Sequence, residues 1–311
     1  MIRRVSVAAV VLATWVAGTV AASIGAAVPA GALPTMSIGR AHADYVPVMD
    51  GSAPLFILLI GSDARPETAT EDGLADSLHV LGINPAEGRA TLFGIPRDAY
   101  VPIASGGTNK INTAMSAGGI DNQIATIENL TGMTIDYYAL TRFEGFSAAA
   151  TQVGGFTVDV PVAFQGYTGT LFEEGPMQIK GNTALEFART RKSLSRGDFQ
   201  RSINQGVAVQ GAIATFSDAF DEDPSVLYRW LGAGLRNVQT SLSLDELTDL
   251  AMLATTIAPK RITNLVAVGA TGSAGSISIV VLSGDNEALW ADMAEDGYIL
   301  AKNIPALARS S

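Results

Sequence analysis

The chain has 311 residues, of which 48% are hydrophobic and only 16% are charged, so it can form a core and is not a disordered chain. Thirty acidic against 20 basic residues give a net charge of −10, which argues against a general nucleic-acid binder because the phosphates would be repelled. The absence of cysteine, with only two histidines, excludes disulfides, zinc–thiolate sites, iron–sulfur clusters, thiol catalysis and a multi-histidine metal centre.

The N-terminus has the pattern of an export signal or a membrane anchor. Arg3 and Arg4 are followed by a stretch without charge that extends to Arg40, and residues 5–28 are almost entirely apolar. About 20 apolar residues span a bilayer core as a helix, and the preceding arginines favour a cytoplasmic N-terminus. We therefore predict that residues 1–30 form an N-terminal transmembrane helix, which leaves the rest of a single-pass membrane protein outside the cytoplasm.

A cleaved signal peptide is the alternative, and it would give a secreted or periplasmic protein. The segment Ala41-His42-Ala43 matches a small-x-small cleavage site. The apolar stretch is longer than the ~7–15 residues usual for a signal peptide, which favours the uncleaved anchor. Residues 31–53 are rich in Pro, Gly and Ala and predict a tether between the anchor and the folded part of the chain.

Residues 54–311 predict one α/β domain in which strands and helices alternate. The turn signal Asn84-Pro-Ala-Glu-Gly-Arg89 joins the second and third strands as an antiparallel hairpin. The pattern predicts a three-layer α/β/α sandwich with a central mixed sheet. We expect Asn182 and Asp198 to be helix N-caps, and Gly118-Gly119 to interrupt a helix. The predicted strands cover residues 54–60, 77–83, 90–95, 135–141, 156–160 and 276–282, and the predicted helices cover 112–131, 144–153, 182–191, 198–220, 243–257 and 286–293.

Charged side chains stand at the ends of the first three strands. Asp63 follows the first strand, Asp76 precedes the second, and Arg97 follows the third. Because the second strand runs antiparallel to the other two, these side chains should meet at one edge of the sheet, where α/β proteins bind ligands. Two carboxylates could hold Mg²⁺, which favours one or two carboxylates together with substrate phosphates. The alternative is that these charges only decorate turns.

A cluster of basic residues lies further along the chain. Within thirteen residues it comprises Arg189, Arg191, Lys192, Arg196 and Arg201. Guanidinium groups match phosphate oxygens with paired hydrogen bonds. A solvated basic loop, or positive charge at a helix C-terminus, is the alternative. Together with the two carboxylates, the cluster suits a pyrophosphate held with a divalent metal.

Several short motifs follow one another in a fixed order from about residue 56 to residue 213. They are Leu58-Leu59-Ile60-Gly61-Ser62-Asp63-Ala64-Arg65, Ala75-Asp76-Ser77, Ile95-Pro96-Arg97-Asp98, Lys110-Ile111-Asn112, Asp136-Tyr137-Tyr138, Val153-Gly154-Gly155, Ala184-Leu185-Glu186-Phe187-Ala188-Arg189-Thr190-Arg191 and Gly197-Asp198-Phe199-Gln200-Arg201, with Gln205. Each motif is weak alone, but the ordered set is specific. On these motifs the chain resembles the LytR–CpsA–Psr family of bacterial cell-envelope proteins.

The resemblance implies an extracytoplasmic phosphotransferase with an α/β/α fold and an apolar tunnel for a prenyl chain. Family members move a glycopolymer from a polyprenyl-pyrophosphate carrier to a cell-wall polymer through a phosphodiester, and polyprenyl phosphate leaves. By position, Asp63 and Asp76 would bind Mg²⁺, and with Arg97 they would form the catalytic set. The side chains implied to hold the pyrophosphate are Arg65, Arg97, Lys110, Arg189, Arg191, Arg201 and Gln205.

The chain departs from the family pattern at Leu74 and Asn204, where the family usually has arginine, so one or two phosphate contacts are expected to be missing. Two other functions stay open: a membrane-anchored binding protein for polyprenyl-phosphate lipids, and a pyrophosphatase in which water replaces the sugar acceptor. Only an enzyme requires both metal-binding aspartates. We interpret His79 as a structural strand residue and Asp98 as an ion-pair partner rather than a metal ligand.

Overall fold

A mixed β-sheet lies at the centre of the protein. The computed structural model describes residues 36–40, 54–240 and 244–309, all within one structural unit, Leu33–Ser311. The strands in these residues are β1 (Met36–Arg40), β2 (Leu55–Ser62), β3 (Ala75–Asn84), β4 (Arg89–Gly94), β5 (Tyr100–Pro102), β6 (Thr108–Lys110), β7 (Tyr137–Arg142), β8 (Phe156–Val160), β9 (Phe164–Gln165), β10 (Leu171–Phe172), β11 (Gly175–Ile179), β12 (Val238–Thr240), β13 (Ile262–Val266), β14 (Gly269–Ala274) and β15 (Ile277–Leu282).

Seven α-helices accompany these strands in the described ranges. They are α1 (Thr113–Thr131), α2 (Phe143–Gln152), α3 (Gly181–Arg189), α4 (Asp198–Glu222), α5 (Val226–Arg236), α6 (Leu244–Thr256) and α7 (Asp285–Asp296). None of the described helices is both long enough and apolar enough to span a membrane. The predicted transmembrane helix in residues 1–30 lies outside the described residues, as does most of the predicted tether.

The central sheet has the strand order β12-β1-β7-β2-β3-β4-β13. Strands β2, β3 and β4 are antiparallel neighbours, which confirms the predicted hairpin. Strand β7 is parallel to β2, and β13 is parallel to β4, so the sheet is mixed as predicted. Strand β13 comes from a segment that the sequence pattern did not mark as a strand.

Helices pack on both faces of this sheet. Side chains alternate along a strand, so Leu58 and Ile60 point to one face and Ile57 to the other. Leu58 and Ile60 belong to a buried cluster that includes residues of α1 and α7. Ile57 belongs to a second cluster with Leu247 of α6, against which Val209 of α4 packs. Burial on both faces explains the continuous apolar run of β2.

A third buried cluster supports the elements that carry the basic residues. Phe156 and Val158 of β8 pack there with Phe187 of α3 and Ile203 of α4. The anchored Phe187 precedes Arg189 by two residues, and Ile203 follows Arg201 by two. This small core therefore fixes the backbone at both ends of the basic segment.

Both predicted N-caps are wrong. Helix α3 begins at Gly181 after an extended Lys180, so Asn182 is already inside the helix. Helix α4 begins at Asp198, and its cap is Gly197. Gly197 has a φ of +54°, in the left-handed region that favours glycine, so backbone conformation starts this helix without a side-chain cap.

The interruption of the first long helix is confirmed. Gly118 and Gly119 have non-helical backbone angles inside α1, and Gly119 has a φ of +74°. A residue with a Cβ rarely adopts this conformation, which explains the glycine at position 119. At Gly118 the reason is steric, because a Cβ there would lie 2.9 Å from the Cβ of Asn122. The kink lets Asn122 donate a hydrogen bond from Nδ2 to the carbonyl of Ala114 at 2.7 Å.

Candidate active site

A β-bulge at the start of β3 positions Asp76, one of the two predicted metal-binding carboxylates. The register of β2 and β3 shifts between Gly61 and Ser62, so that Asp76 is an extra residue without a partner on β2. A bulge bends its strand and re-aims the side chain of the extra residue. Asp63 directly follows Ser62. The two carboxylates therefore lie on neighbouring strands at one edge of the sheet.

Asp63 is fixed by the chain segment that leads to Asp76. Its carboxylate Oδ1 accepts a hydrogen bond from the N–H of Leu74 at 2.7 Å, and its own N–H donates to the Leu74 carbonyl at 3.1 Å. Within the described part of the chain, Oδ2 of Asp63 and Oδ2 of Asp76 accept no hydrogen bond. One oxygen of each carboxylate is therefore available to a ligand.

Arg97 lies against Asp76, so the structure brings these two predicted residues together. Nη1 of Arg97 donates a hydrogen bond to Oδ1 of Asp76. Burial by itself lowers the pKa of Arg97, but the negative charge of Asp76, with smaller contributions from Asp198 and Asp98, raises it above its ordinary value. Arg97 is therefore a permanent positive charge beside the carboxylates.

Asp98 joins two further cations to this edge. Nζ of Lys110 lies 2.9 Å from Oδ1 of Asp98, and Nη1 of Arg191 lies 3.8 Å from Oδ2. The sequence interpretation of Asp98 as an ion-pair partner agrees with this geometry. Through Asp98, the segment after α3 is connected to the segment after β4.

Arg201 is buried at the start of α4. Its Nη2 lies 2.7 Å from Oδ1 of Asp198, and the two side chains are only 7% and 10% exposed. Burial lowers the pKa of Arg201, and the charges of Asp198 and Asp76 act against this effect. Nε of Arg201 and Nε of Arg97 are buried and donate no hydrogen bond to the described residues. We call the following residues the charged cluster: Asp76, Arg97, Asp98, Lys110, Arg191, Asp198 and Arg201.

Three predicted pyrophosphate ligands lie outside the charged cluster. Arg65 is exposed on the loop after β2. Arg189 forms no ion pair with the described residues; its guanidinium instead stacks 3.9 Å from the ring centroid of Phe143. Gln205 donates a hydrogen bond from Nε2 to the carbonyl of Ala188 at 3.1 Å, which ties α4 to the end of α3.

An apolar cavity of about 470 Å³ lies between the sheet and helices α4, α5 and α6. Its walls include Ile57 and Leu59 of β2, Ile213 of α4, Leu231 of α5 and Leu250 of α6. The sequence does not reveal such a cavity directly, because its wall residues are of the same types as a packed core. Only the family resemblance pointed to one.

One face of α4 leads from the charged cluster to this cavity. Arg201, Gln205, Ala208 and Ala212 follow one another at spacings of four, three and four residues, so they share a helix face. Ala208 and Ala212 line the cavity. At 1.5 Å per residue, the path from Arg201 to Ala208 is about 10 Å long. A polar site and an apolar cavity are thus adjacent.

Comparison with known proteins identifies the family. A model described as the LytR_cpsA_psr family matches residues 35–295. The chain belongs to the LytR–CpsA–Psr family. A Bacillus anthracis protein named polyisoprenyl-teichoic acid–peptidoglycan teichoic acid transferase TagU is 37% identical over 203 residues. The match covers 64% of this chain and 64% of the relative, so it spans less than two thirds of the length of that relative.

Solved structures of this family have the same fold. The crystal structure of Bacillus subtilis TagV is similar with a TM-score of 0.66 and 29% identity, and the match covers 78% of this chain and 96% of that one. The crystal structure of Bacillus subtilis TagU is similar with a TM-score of 0.62 and 25% identity, covering 82% of this chain and 100% of that one. The mixed α/β architecture is therefore that of the LytR–CpsA–Psr family.

The two departures from the LytR–CpsA–Psr pattern have different surroundings. Leu74 uses its backbone to hold Asp63, and its side chain is half-buried. Asn204 is 1% exposed, and its Oδ1 accepts a hydrogen bond from Nε2 of Gln200 at 3.2 Å. His79 is also buried, and its Nε2 lies 2.9 Å from the carbonyl oxygen of Ser202. Burial lowers the pKa of His79 to about 4, so it is neutral at physiological pH.

The carboxylates of the site suit a metal ion that takes its other ligands from the substrate and from water. The described residues contain no group of three or more His, Cys, Asp and Glu side chains that could hold a metal ion. Asp63 and Asp76 supply two hard oxygen donors. Mg²⁺ is commonly bound by one or two carboxylates, with substrate phosphates and waters as the other ligands. The two aspartates therefore fit Mg²⁺ when a phosphorylated substrate completes its coordination.

Proposed function

We propose that this protein is an Mg²⁺-dependent phosphotransferase that moves a glycopolymer from a polyprenyl-pyrophosphate carrier to a hydroxyl of a cell-wall polymer. The observation that carries the proposal is the continuity between the charged cluster and the apolar cavity along one face of α4. A lipid with a pyrophosphate head likewise has a charged part that continues directly into an apolar chain. The relative named as a teichoic acid transferase for peptidoglycan supports the same substrate class.

The free donors of the charged cluster suit the oxygens of a pyrophosphate. Buried groups normally find hydrogen-bond partners, and unpaired ones are costly. The buried Nε atoms of Arg97 and Arg201 have no partner among the described residues. A phosphate oxygen would satisfy them with charge-assisted hydrogen bonds. Arg191, which is 45% exposed, would reach the head group from the solvent side.

Charge balance favours a divalent cation at this site. The cluster with Asp63 holds four cations (Arg97, Lys110, Arg191, Arg201) and four carboxylates (Asp63, Asp76, Asp98, Asp198), so their charges cancel. A pyrophosphate diester adds two negative charges. A bound Mg²⁺ would neutralise them and stabilise the charge that develops on the transferring phosphoryl group.

The chain's own residues would position the reaction. Arg97 and Arg201 would hold the pyrophosphate so that the acceptor hydroxyl approaches in line with the bond that breaks. The acceptor hydroxyl releases its proton to solvent as its oxygen forms a bond to the phosphorus that carries the glycan, and the bond from this phosphorus to the bridging oxygen breaks. Polyprenyl phosphate leaves with that oxygen and its electron pair. The cavity would keep the prenyl chain in place throughout.

The location of the site is part of the proposal. The predicted anchor in residues 1–30 would hold the catalytic domain at the outer surface of the cell membrane, where the cell-wall acceptor lies. The alternative from the sequence is release after cleavage near Ala43. A protease that is added to intact cells without an outer membrane should degrade the domain. Protection of the domain until the cells are lysed would contradict this location.

The test uses the full-length protein in detergent, a polyprenyl-pyrophosphate-linked oligosaccharide and a peptidoglycan acceptor. Release of polyprenyl phosphate, followed by mass spectrometry, should require Mg²⁺. The Asp63→Asn and Asp76→Asn variants should each lose at least about 100-fold in rate, since each removes one metal ligand. Asp221→Asn is the matched control, because Asp221 is exposed near the far end of α4. Equal rates in all variants, or release without Mg²⁺, would contradict the proposal.

A further inference from the structure

An exposed tyrosine lies beside the proposed phosphate site. Tyr167, in the loop between β9 and β10, is 56% exposed. The guanidinium carbon of Arg189 lies 6.0 Å from the centroid of its ring. Arg189 precedes Arg191 by two residues, and Arg191 contacts Asp98 of the charged cluster. An aromatic ring and a guanidinium that forms no ion pair with the described residues therefore adjoin the place where the reacting phosphate is proposed to bind.

A buried carboxylate fixes the loop that carries this tyrosine. Glu186 of α3 is 2% exposed and accepts hydrogen bonds from the N–H of Thr168 and the hydroxyl of Thr170. Gly166 packs so closely on Glu186 that a Cβ there would lie 2.2 Å from Oε1. Only glycine leaves room for this contact. The residues on both sides of Tyr167 are thus held against α3.

Two more contacts hold the base of the loop. The rings of Phe164 and Phe172 stack with centroids 4.7 Å apart. The hydroxyl of Ser193 donates a hydrogen bond to the carbonyl of Gln165, which ties the hairpin to the segment after α3. A loop that is already ordered loses little conformational entropy when it binds a ligand. The exposed ring of Tyr167 is therefore presented by a pre-organised support.

We propose that Tyr167 and Arg189 form a binding subsite for a pyranose ring of the glycan substrate. A tyrosine ring offers a flat apolar surface with a polar edge, which matches the C–H face of a sugar. The guanidinium supplies donors for the hydroxyl, amide or carboxylate oxygens of the same sugar. The inference rests on the proposed function and adds that the glycan is recognised next to the reacting phosphate. The sugar comes from the donor glycan or from the acceptor, which share this chemistry.

The experiment measures glycan binding separately from transfer. The full-length protein is titrated in one arm with a peptidoglycan disaccharide and in the other with a short-chain polyprenyl-pyrophosphate disaccharide. Tyr167→Ala should weaken binding about 5-fold in one arm, and Tyr167→Phe should keep the wild-type affinity because the ring remains. The arm that changes identifies the source of the sugar. Leu171→Ala is the matched control, since Leu171 is 59% exposed on the same hairpin.

Three results would overturn the subsite. They are an unchanged affinity of Tyr167→Ala in both arms, an equal loss in Tyr167→Phe or Leu171→Ala, and the absence of binding by the wild-type protein in both arms. Thermal unfolding of each variant establishes that it is folded. If the wild-type protein binds the sugar with the expected dependence on Tyr167 but transfers nothing, the proposed function fails and the subsite stands. The two failures are therefore distinguishable.

Discussion

The volume of the apolar cavity sets how strongly a bulky side chain placed in it should weaken lipid binding. A water molecule takes up about 30 Å³ in the liquid, and a carbon group of a prenyl chain is of similar size, so a cavity of about 470 Å³ holds about 15 such groups, or three isoprene units. Ala212→Phe would place a phenyl ring where about one five-carbon unit lies. Each buried CH₂ contributes about 0.8 kcal/mol, so displacing five carbon groups lowers the binding free energy of the lipid by at most about 4 kcal/mol. With partial relaxation we expect about 2 kcal/mol, near a 30-fold rise in the Kd of a polyprenyl phosphate.

The assay uses a tryptophan that is already in the cavity wall. Trp230 lines the cavity, so its fluorescence should report binding of a short-chain polyprenyl phosphate. Ala214→Phe is the matched control: Ala214 is half-buried like Ala212 and lies on the same helix, but it borders a groove next to β8 instead. An unchanged Kd for Ala212→Phe, or an equal rise for Ala214→Phe, would refute the assignment of the prenyl chain to this cavity.

Two further predictions concern stability. Arg142 is 6% exposed and donates hydrogen bonds to Thr70, Pro66 and Thr68. Arg142→Ala should therefore reduce the free energy of unfolding, measured in urea, by about 3 kcal/mol. A loss below about 1 kcal/mol would contradict this role of Arg142. The pKa of His79 is about 4 in the folded protein and about 6.5 in the unfolded chain, so the unfolded chain binds the proton more readily. The free energy of unfolding should therefore be highest above pH 6.5 and should fall by up to about 3 kcal/mol as the pH is lowered towards 4. His79→Gln should remove this part of the pH dependence in urea titrations, and an unchanged slope would contradict the reasoning.

The central hairpin could be predicted because its signals are local. The apolar runs of β2, β3 and β4 and the turn at residues 84–89 fix three antiparallel neighbours. Antiparallel order then puts the end of β2, the start of β3 and the end of β4 at one edge. Asp76 and Arg97 meet there for this reason. The sequence alone therefore predicts that Asp76 and Arg97 lie together at this edge of the candidate site.

Features that depend on distant partners were not predictable in this way. Strand β13 pairs with β4 across more than 160 residues, and its sequence Ile-Thr-Asn-Leu-Val lacks a clear strand period. Arg189 stacks on Phe143, which no spacing reveals. The N-cap predictions failed because backbone conformation at Gly197, rather than a side-chain oxygen, starts α4. The bulge at Asp76 depends on the pairing register of two strands, which the sequence of one strand does not contain.

In the proposed reaction, the phosphoryl group that carries the glycan moves from the lipid carrier to a sugar hydroxyl. The most direct measurement is ³¹P NMR of the products after the full-length protein, Mg²⁺, a polyprenyl-pyrophosphate-linked oligosaccharide and a peptidoglycan acceptor have reacted. We predict a new phosphodiester signal and an equal amount of polyprenyl monophosphate. A sugar phosphate monoester in place of the phosphodiester would mean that water is the acceptor. Binding of the lipid with neither product would show that the site holds its ligand without reaction, and either result would contradict transfer.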